Sequence, residues 1–370
     1  MTRSSHYDVV VIGGGQAGMS IGHFLARSGR SFVILERATE LAPAWRERWD
    51  SLKLFTPRRY NALPEMPFTG DPDGYPGRDE VVAYLRSYAA EFDLPIKLGS
   101  PARALRRSGD GRLEVELDEE TLTADQVVVA TGPFQDPRVP DFARDLAAGV
   151  VQMHSTAYRA PADLPDGTIA VVGGGNTGFQ IAEDLVATRD VHLAIGDRQA
   201  PLPQRFLGRD LFWWLTKTRL IEKSLETKFG KRMSQKDTLV GSKPSKSKKL
   251  GIRLHPRAVG ASGRSISFED GSSLDVDGVI WATGFRSDYS WIDLPITGGG
   301  GRVKHHRGVT DVAGLYFLGL QWQWTRGSAL LGFVKDDAMY LAARISEFAA
   351  AKTETEASTS QPATLAAQGD

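Results

Sequence analysis

Apolar residues fall along this chain in short unbroken runs, and the early runs are followed by glycine. Val9-Val10-Val11-Ile12 leads into Gly13 to Gly18, then a helical pattern from Met19 to Ser28, then Gly29 and the run Phe32-Val33-Ile34-Leu35. A continuous apolar run suits a strand buried on both faces of a parallel sheet, whereas a strand with one wet face alternates. A glycine just past a helical pattern is a stop signal. The same order returns with Ile169-Ala170-Val171-Val172, Gly173 to Gly178, a helical pattern from Phe179 to Val186 and a run from Val191 to Ile195. Two further runs, Val127-Val128-Val129 and Val279-Ile280-Trp281, end in Ala130-Thr131-Gly132 and Ala282-Thr283-Gly284, each placed like a crossing point between two units.

This repeated strand, turn, helix and strand predicts an α/β protein with two Rossmann-like dinucleotide-binding domains, the second inserted into the first. The expected boundaries are 1–157 with 285–350 for the first domain and 158–284 for the second. Between the repeats lies a loop-rich stretch, Glu40 to Gly77, with six prolines, then a helical pattern from Asp79 to Phe92 and a charged hairpin-like region from Ala102 to Thr123. Within the second domain, residues 199–249 form a basic insertion: an apolar piece from Phe206 to Leu220, containing Trp213 and Trp214, precedes a run of lysines ending at Lys249. Such a run is a lid, a membrane-surface patch or a solvated cover, solvation being the commonest. The tail, 351–370, is rich in Ala, Thr, Ser, Gln and Glu and is expected not to fold.

Both glycine turns fit G-x-G-x-x-G in the required context, after an apolar strand and before a helix. The first glycine permits the tight turn, the second admits the pyrophosphate, the third lets helix pack on strand, and the helix start attracts the phosphates. Glu36 ends the second strand of the first copy, where an acid binds a ribose diol. The equivalent position in the second copy is Gly196, followed by Asp197 and Arg198. Room and positive charge there suit a 2′-phosphate and favour NADPH over NADH; a solvated strand end is the other reading of Arg198.

Lys+Arg and Asp+Glu balance at 45 each, so no global field holds nucleic acid or an anionic membrane. Cysteine is absent, which removes disulfides, thiolate metal sites and electron relay through a Cys pair. The histidines show no ligand spacing with carboxylates, and no metal is expected. Met1 to His6 run directly into the first apolar strand, too soon for a signal peptide, and no stretch reaches the ~20 apolar residues of a membrane span. A cytoplasmic enzyme is expected.

The arrangement resembles the flavin-containing monooxygenase group, above all its short bacterial members of the cation-efflux and arsenic-operon type. The residues that carry the resemblance are the two glycine turns, the runs ending at Gly132 and at Phe285, and the segment from Ala44 to Pro57. The group implies FAD in the first domain and NADPH in the second, with NADPH reducing the flavin and a flavin hydroperoxide giving one oxygen atom of O2 to a nitrogen, a sulfur or a carbonyl compound. The chain departs from the group's Phe-x-Gly-x3-His-x3-aromatic fingerprint: His154 and Tyr158 fit, but Ala147 and Gly149 do not. It also has Thr56-Pro57 where many members have Thr-Asn. These departures keep a second reading open, a flavin reductase or oxidase without oxygen transfer; a third is a nucleotide-dependent binding protein acting through the basic insertion.

The expected cofactor contacts are Gly13, Gly15, Gln16, Ala17, Gly18, Glu36, Arg37, Trp45, Ala130, Thr131, Gly132, Gly173, Gly175, Asn176, Thr177, Gly178, Arg198, Ala282, Thr283, Gly284, Gly319, Ser328, Ala329 and Leu330. The last three lie in Thr325 to Gly332, a segment that leads into a helix whose starting amides are expected to face the flavin. Candidates for catalysis are Ser51, Thr56, His154 and Trp322. His154 either couples domain motion to hydride transfer or is a surface histidine at a domain crossing. The partners expected are a small-molecule substrate and O2, with a homodimer among the possible states.

Overall fold

The computed structural model describes residues 4–196, 200–235, 238–299 and 302–360. The first apolar run is the end of strand Ser4–Ile12, flanked on one side by Phe32–Leu35 and Ile96–Lys97 and on the other by Thr121–Val129 and Leu315–Phe317, all parallel. Residues along the central strand alternate between two cores. Val9 and Val11 face a core with Met19, Tyr88 and Leu341; Val10 and Ile12 face another with Val115, Leu122 and Phe317. Burial on both faces is why the run is unbroken.

The second repeat builds a second parallel sheet in the order Arg253–His255, Asp190–Ala194, Thr168–Val172, Gly278–Trp281, Val151–His154. Val151–His154, assigned from sequence to the first domain, pairs residue for residue with Gly278–Trp281, so the second sheet takes in chain from before residue 158. Just past the second sheet, Phe285–Arg286 pairs antiparallel with Asp136–Pro137.

The helices open earlier than their apolar patterns. Gln16–Ala26 and Asn176–Leu185 each begin at the residue after the middle glycine of the turn, so the turn residues themselves form the first helical turn. The tail corrects an expectation. Helix Val334–Ser360 continues through residues 351–360, because Leu341 and Ile345 anchor it on the first core and its Ala, Glu and Lys content then favours propagation. The Lys352 ammonium also reaches the Asp125 carboxylate at 2.6 Å. Residues 361–370 lie outside the described residues. Among the described residues no helix is long and apolar enough to cross a membrane.

In the insertion the apolar piece is a small hairpin, Arg205–Phe206 with Arg209–Asp210, and a helix, Leu211–Lys217. Asp210 anchors both to the first domain. Its buried carboxylate accepts hydrogen bonds from the Tyr75 hydroxyl (2.6 Å), the Gln204 side-chain amide (2.9 Å) and the Phe212 amide at the helix start (2.7 Å). Burial, and then the Asp210 carboxylate, push the Tyr75 phenol up to about 12. Phe212 stacks on Phe55 and approaches Tyr60 and Phe333. The Leu225 amide donates to the Trp324 carbonyl at 3.0 Å.

Two predictions follow from this packing. Asp210→Ala removes the helix cap and leaves Tyr75 and Gln204 without their acceptor, so it should cost about 2 kcal/mol or more in chemical denaturation and speed proteolysis within 200–250; an unchanged midpoint would remove Asp210 from this role. His23, His154, His192, His255 and His305 all sit below the ordinary 6.5, burial being the first cause in each. His192 Nδ1 and His255 Nε2 are 2.7 Å apart, a bond that needs one proton and is broken by two. The unfolded chain therefore binds more protons just below 6.5, and stability is lost as pH falls through that window. The denaturant midpoint should drop between about pH 7 and pH 5, above the carboxylate range; a flat or rising midpoint would contradict the assignment.

Candidate functional site

The first glycine turn is shaped by close approaches. Gly13 holds φ +117°, and a Cβ there would sit 2.5 Å from the Ala130 carbonyl oxygen. A Cβ on Gly18 would run into the Gly13 carbonyl, whereas Gly15 has nothing within 4 Å of the same position. The turn is thus closed where helix meets strand and open where a pyrophosphate must approach. Helix Gln16–Ala26 receives no side-chain cap from the described residues, which leaves its first amides directed at that opening. Both Glu36 oxygens are held, one by the Gly14 amide (3.1 Å) and one by the Ala38 amide (3.0 Å), with Arg37 exposed beside it.

Other expected contacts gather around this turn. The Trp45 indole donates to the Gln16 side-chain oxygen at 3.1 Å, and Gly319, at φ +85°, comes so near Ala17 that a Cβ would lie 3.0 Å from the Ala17 methyl. Gln135 donates to the Thr131 hydroxyl and to the Gly132 carbonyl, both at 2.9 Å.

The second turn repeats the geometry. Gly173 holds φ +134° against the Ala282 carbonyl, a Cβ on Gly178 would meet the Gly173 carbonyl, and Gly175 stands just ahead of the helix with Thr177 in its first turn. The Asn176 side chain turns to the insertion, while its backbone amide stands at the helix start. The side-chain amide donates to the Thr238 carbonyl (3.1 Å) and the side-chain oxygen accepts from the Val240 amide (3.0 Å), tying the insertion to the helix start. Arg198 lies outside the described residues. The slot is nevertheless flanked by a cation that sequence reading missed: a Cβ on Gly196 would lie 3.1 Å from the Arg257 guanidinium carbon. Arg257 follows strand Arg253–His255, which pairs with Asp190–Ala194, and only that strand order brings it beside Gly196.

The four candidates for catalysis sit in different settings. His154 Nε2 lies 3.2 Å from the Gly284 carbonyl, and Nδ1 faces the Thr156 amide at 3.3 Å. The Thr156 amide donating to Nδ1 favours the Nε2-protonated ring, and the Thr156 hydroxyl, 3.1 Å from Nδ1, can donate to the same nitrogen. Burial, with the Arg48 cation as a lesser cause, keeps its pKa low. Phe285 meets the His154 ring edge-on at 5.1 Å, and Arg48 stands 5.1 and 5.6 Å over the Phe134 and Phe285 rings. His154 is thus a buried residue whose surroundings oppose its protonation. Tyr158, its fingerprint partner, is buried and donates to Asp184 at 2.6 Å.

Thr56 is buried in a knot with Asn61. Its hydroxyl donates to the Asn61 oxygen at 2.6 Å, and the Asn61 amide returns to the Thr56 carbonyl (2.8 Å) and the Pro57 carbonyl (3.2 Å). Asn61 is the buried asparagine of this loop, five residues beyond Thr56, an offset that hid it in the sequence. Ser51 is exposed, and the Lys53 carbonyl beside it accepts from Gln180 of the second domain at 3.2 Å. Trp322 holds a left-handed φ of +55° and lines an apolar cavity of about 40 Å³ with Leu211, Leu215, Phe229 and Met233 of the insertion.

The C-terminal loop leads into its helix through a short turn. Arg326–Ala329 is a single 3-10 turn and the long helix starts only at Val334. The Ser328 hydroxyl accepts from the Trp324 and Thr325 amides, both at 3.0 Å, so it staples the loop, with Ala329 and Leu330 half-buried behind it. Gly332, just ahead of the helix, packs so closely on the first domain that a Cβ there would strike the Tyr60 carbonyl.

A family model described as pyridine nucleotide-disulphide oxidoreductase matches residues 10–206. An oxidoreductase of Geobacillus kaustophilus described as CzcO-like is 43% identical over 337 residues, covering 90% of this chain and 97% of its own. The rice indole-3-pyruvate monooxygenase YUCCA1 is 29% identical, over 86% and 88%. The solved flavin-containing monooxygenase of Stenotrophomonas maltophilia superposes with a TM-score of 0.78 at 29% identity, over 93% and 99%. Two glycine turns of one design, the first with its acid and the second with glycine and a cation, fit the FAD and NADPH of such enzymes. On these grounds the chain belongs to the pyridine nucleotide-disulphide oxidoreductase family and is an oxidoreductase of the CzcO-like kind, with flavin monooxygenases as its structural neighbours.

Proposed function

We propose that this chain is an FAD-dependent, NADPH-consuming monooxygenase of a small molecule, in which O2, NADPH, a proton and substrate give oxygenated substrate, water and NADP⁺. One observation carries the reading: two dinucleotide cradles stand in a chain that contains no cysteine. Electrons delivered to the first nucleotide have no thiol pair to move to, so they leave directly to a small acceptor. The 28% and 29% identical flavin monooxygenases among its structural neighbours support O2 as that acceptor. Bound FAD, once reduced, supplies the oxygen-activating chemistry.

The chain's own residues bind, orient and exclude water. Glu36 is placed to exchange its backbone partners for ribose hydroxyls, and Arg257 to meet a 2′-phosphate beside Gly196. The ring cluster of Phe55, Tyr60, Phe212 and Phe333 keeps water from the Thr56 loop. Thr56 and Asn61, already satisfied by each other, position that loop and move no proton. His154, buried and facing the Gly284 carbonyl, holds the crossing between the sheets. The apolar cavity beside Trp322, walled by the insertion, is a candidate wall of the substrate site. Substrates compatible with the chemistry are nucleophilic nitrogen or sulfur compounds and ketones.

Rapid mixing of the NADPH-reduced, FAD-loaded enzyme with oxygenated buffer tests the reaction. A spectral species distinct from oxidised and reduced flavin, decaying faster when substrate is added, is the expected result. Immediate return to oxidised flavin with stoichiometric peroxide, with or without candidate substrates, would establish an oxidase. Separately, Arg257→Ala should raise the NADPH KM about tenfold or more and leave the NADH KM unchanged; an equal change in both would remove Arg257 from 2′-phosphate recognition.

A further inference from the structure

We infer that the insertion docks this enzyme onto an anionic lipid surface, with Phe206 and Leu207 as the inserted tip. The observations are independent of the reaction. Residues 199–249 carry thirteen Lys and Arg against four Asp and Glu, although the whole chain balances at 45 of each. The cationic excess is therefore concentrated in one lobe, and the remainder of the protein is acidic.

At the lobe's hairpin the chain presents apolar side chains outward. Phe206 is 56% exposed and Leu207 is 74% exposed. Leu207 and Gly208 have φ of +48° and +74°, the pair of positive values that a tight two-residue hairpin turn requires. Asn, Asp or Gly suits such a position, and leucine is strained there. Leucine at this site serves neither the turn nor a core, which points to a surface it meets in use.

The residues around the tip have the composition of a membrane interface. The Trp214 indole donates to the Phe206 carbonyl at 3.0 Å and stands edge-on to Trp213, and the Arg209 guanidinium lies 5.3 Å over the Trp213 ring. Arg205, Lys217 and Arg219 are exposed nearby in the chain. Indoles with an apolar body and a polar edge, together with cations, are what the headgroup boundary accommodates. Of the four acidic residues, Asp210 is buried and Glu222 pairs with Arg219. A symmetric pairing of two copies through this lobe would set like charges together. Nucleic acid would satisfy the cations but leave the Phe206 and Leu207 tip in water.

Flotation of the FAD-loaded, full-length protein with vesicles tests the inference. Vesicles containing phosphatidylglycerol should carry the protein, phosphatidylcholine vesicles should not, and added salt should weaken the association. Phe206→Ser combined with Leu207→Asn, which gives the turn a residue it prefers, should reduce binding at least about tenfold. NADPH oxidation should be unchanged in that variant, showing that it folds and holds FAD. Arg209→Gln with Lys217→Gln should weaken binding without abolishing the tip's contribution. Absence of flotation with anionic vesicles, or flotation unaffected by the Phe206 and Leu207 changes, would overturn it. So would self-association, or duplex DNA binding, that depends on those two residues in a protein that vesicles do not retain.

Discussion

Helix and strand come so close at Gly18 and Gly13, and again at Gly178 and Gly173, that no side-chain atom fits between them. That spacing pulls each helix start over its sheet edge and points its amides at one place. Because Gly13 also packs on Ala130, and Gly173 on Ala282, the same contact fixes where the returning strand ends. Each returning strand passes through glycine, at 132 or 284, to the segments that pair as Asp136–Pro137 with Phe285–Arg286. The placement of the two sheets' nucleotide ends thus descends from four backbone contacts that tolerate no methyl group.

Around this frame the less regular parts are held by buried polar groups whose bonds close on one another. Asp210 gathers Tyr75, Gln204 and a helix start; Thr56 and Asn61 close a loop; His154 is set between Thr156 and Gly284. Each is costly to leave unpaired, so each specifies one arrangement. The cluster of Phe55, Tyr60, Phe212 and Phe333 then fills the space between the insertion and the first domain. In the proposed reaction the bound cofactor would carry the chemistry, and the side chains would supply shape, dryness and charge.

The strands and turns were legible because parallel-sheet burial writes a contiguous apolar run and a dinucleotide turn demands glycine at fixed offsets. Arg257 was not, since it reaches Gly196 only through the neighbouring strand, 61 residues away in sequence. Asn61 was missed for a similar reason: nothing in the local sequence shows that its amide closes the loop on Thr56 and Pro57. The second role of Asn176 was hidden too, since nothing local announces that Thr238 and Val240 will claim both ends of its side-chain amide. The tail misled, because polar, low-complexity composition says little once a packed helix runs into it.

The Asn176 contact also bears on how such enzymes diversify. Strand Thr238–Val240 belongs to the insertion, yet its backbone is read by a residue inside the nucleotide turn. Insertion and turn are therefore coupled in structure, whatever their separation along the chain. A chimaera that exchanges the insertion between relatives would have to carry the turn's asparagine with it, and natural recombination meets the same seam.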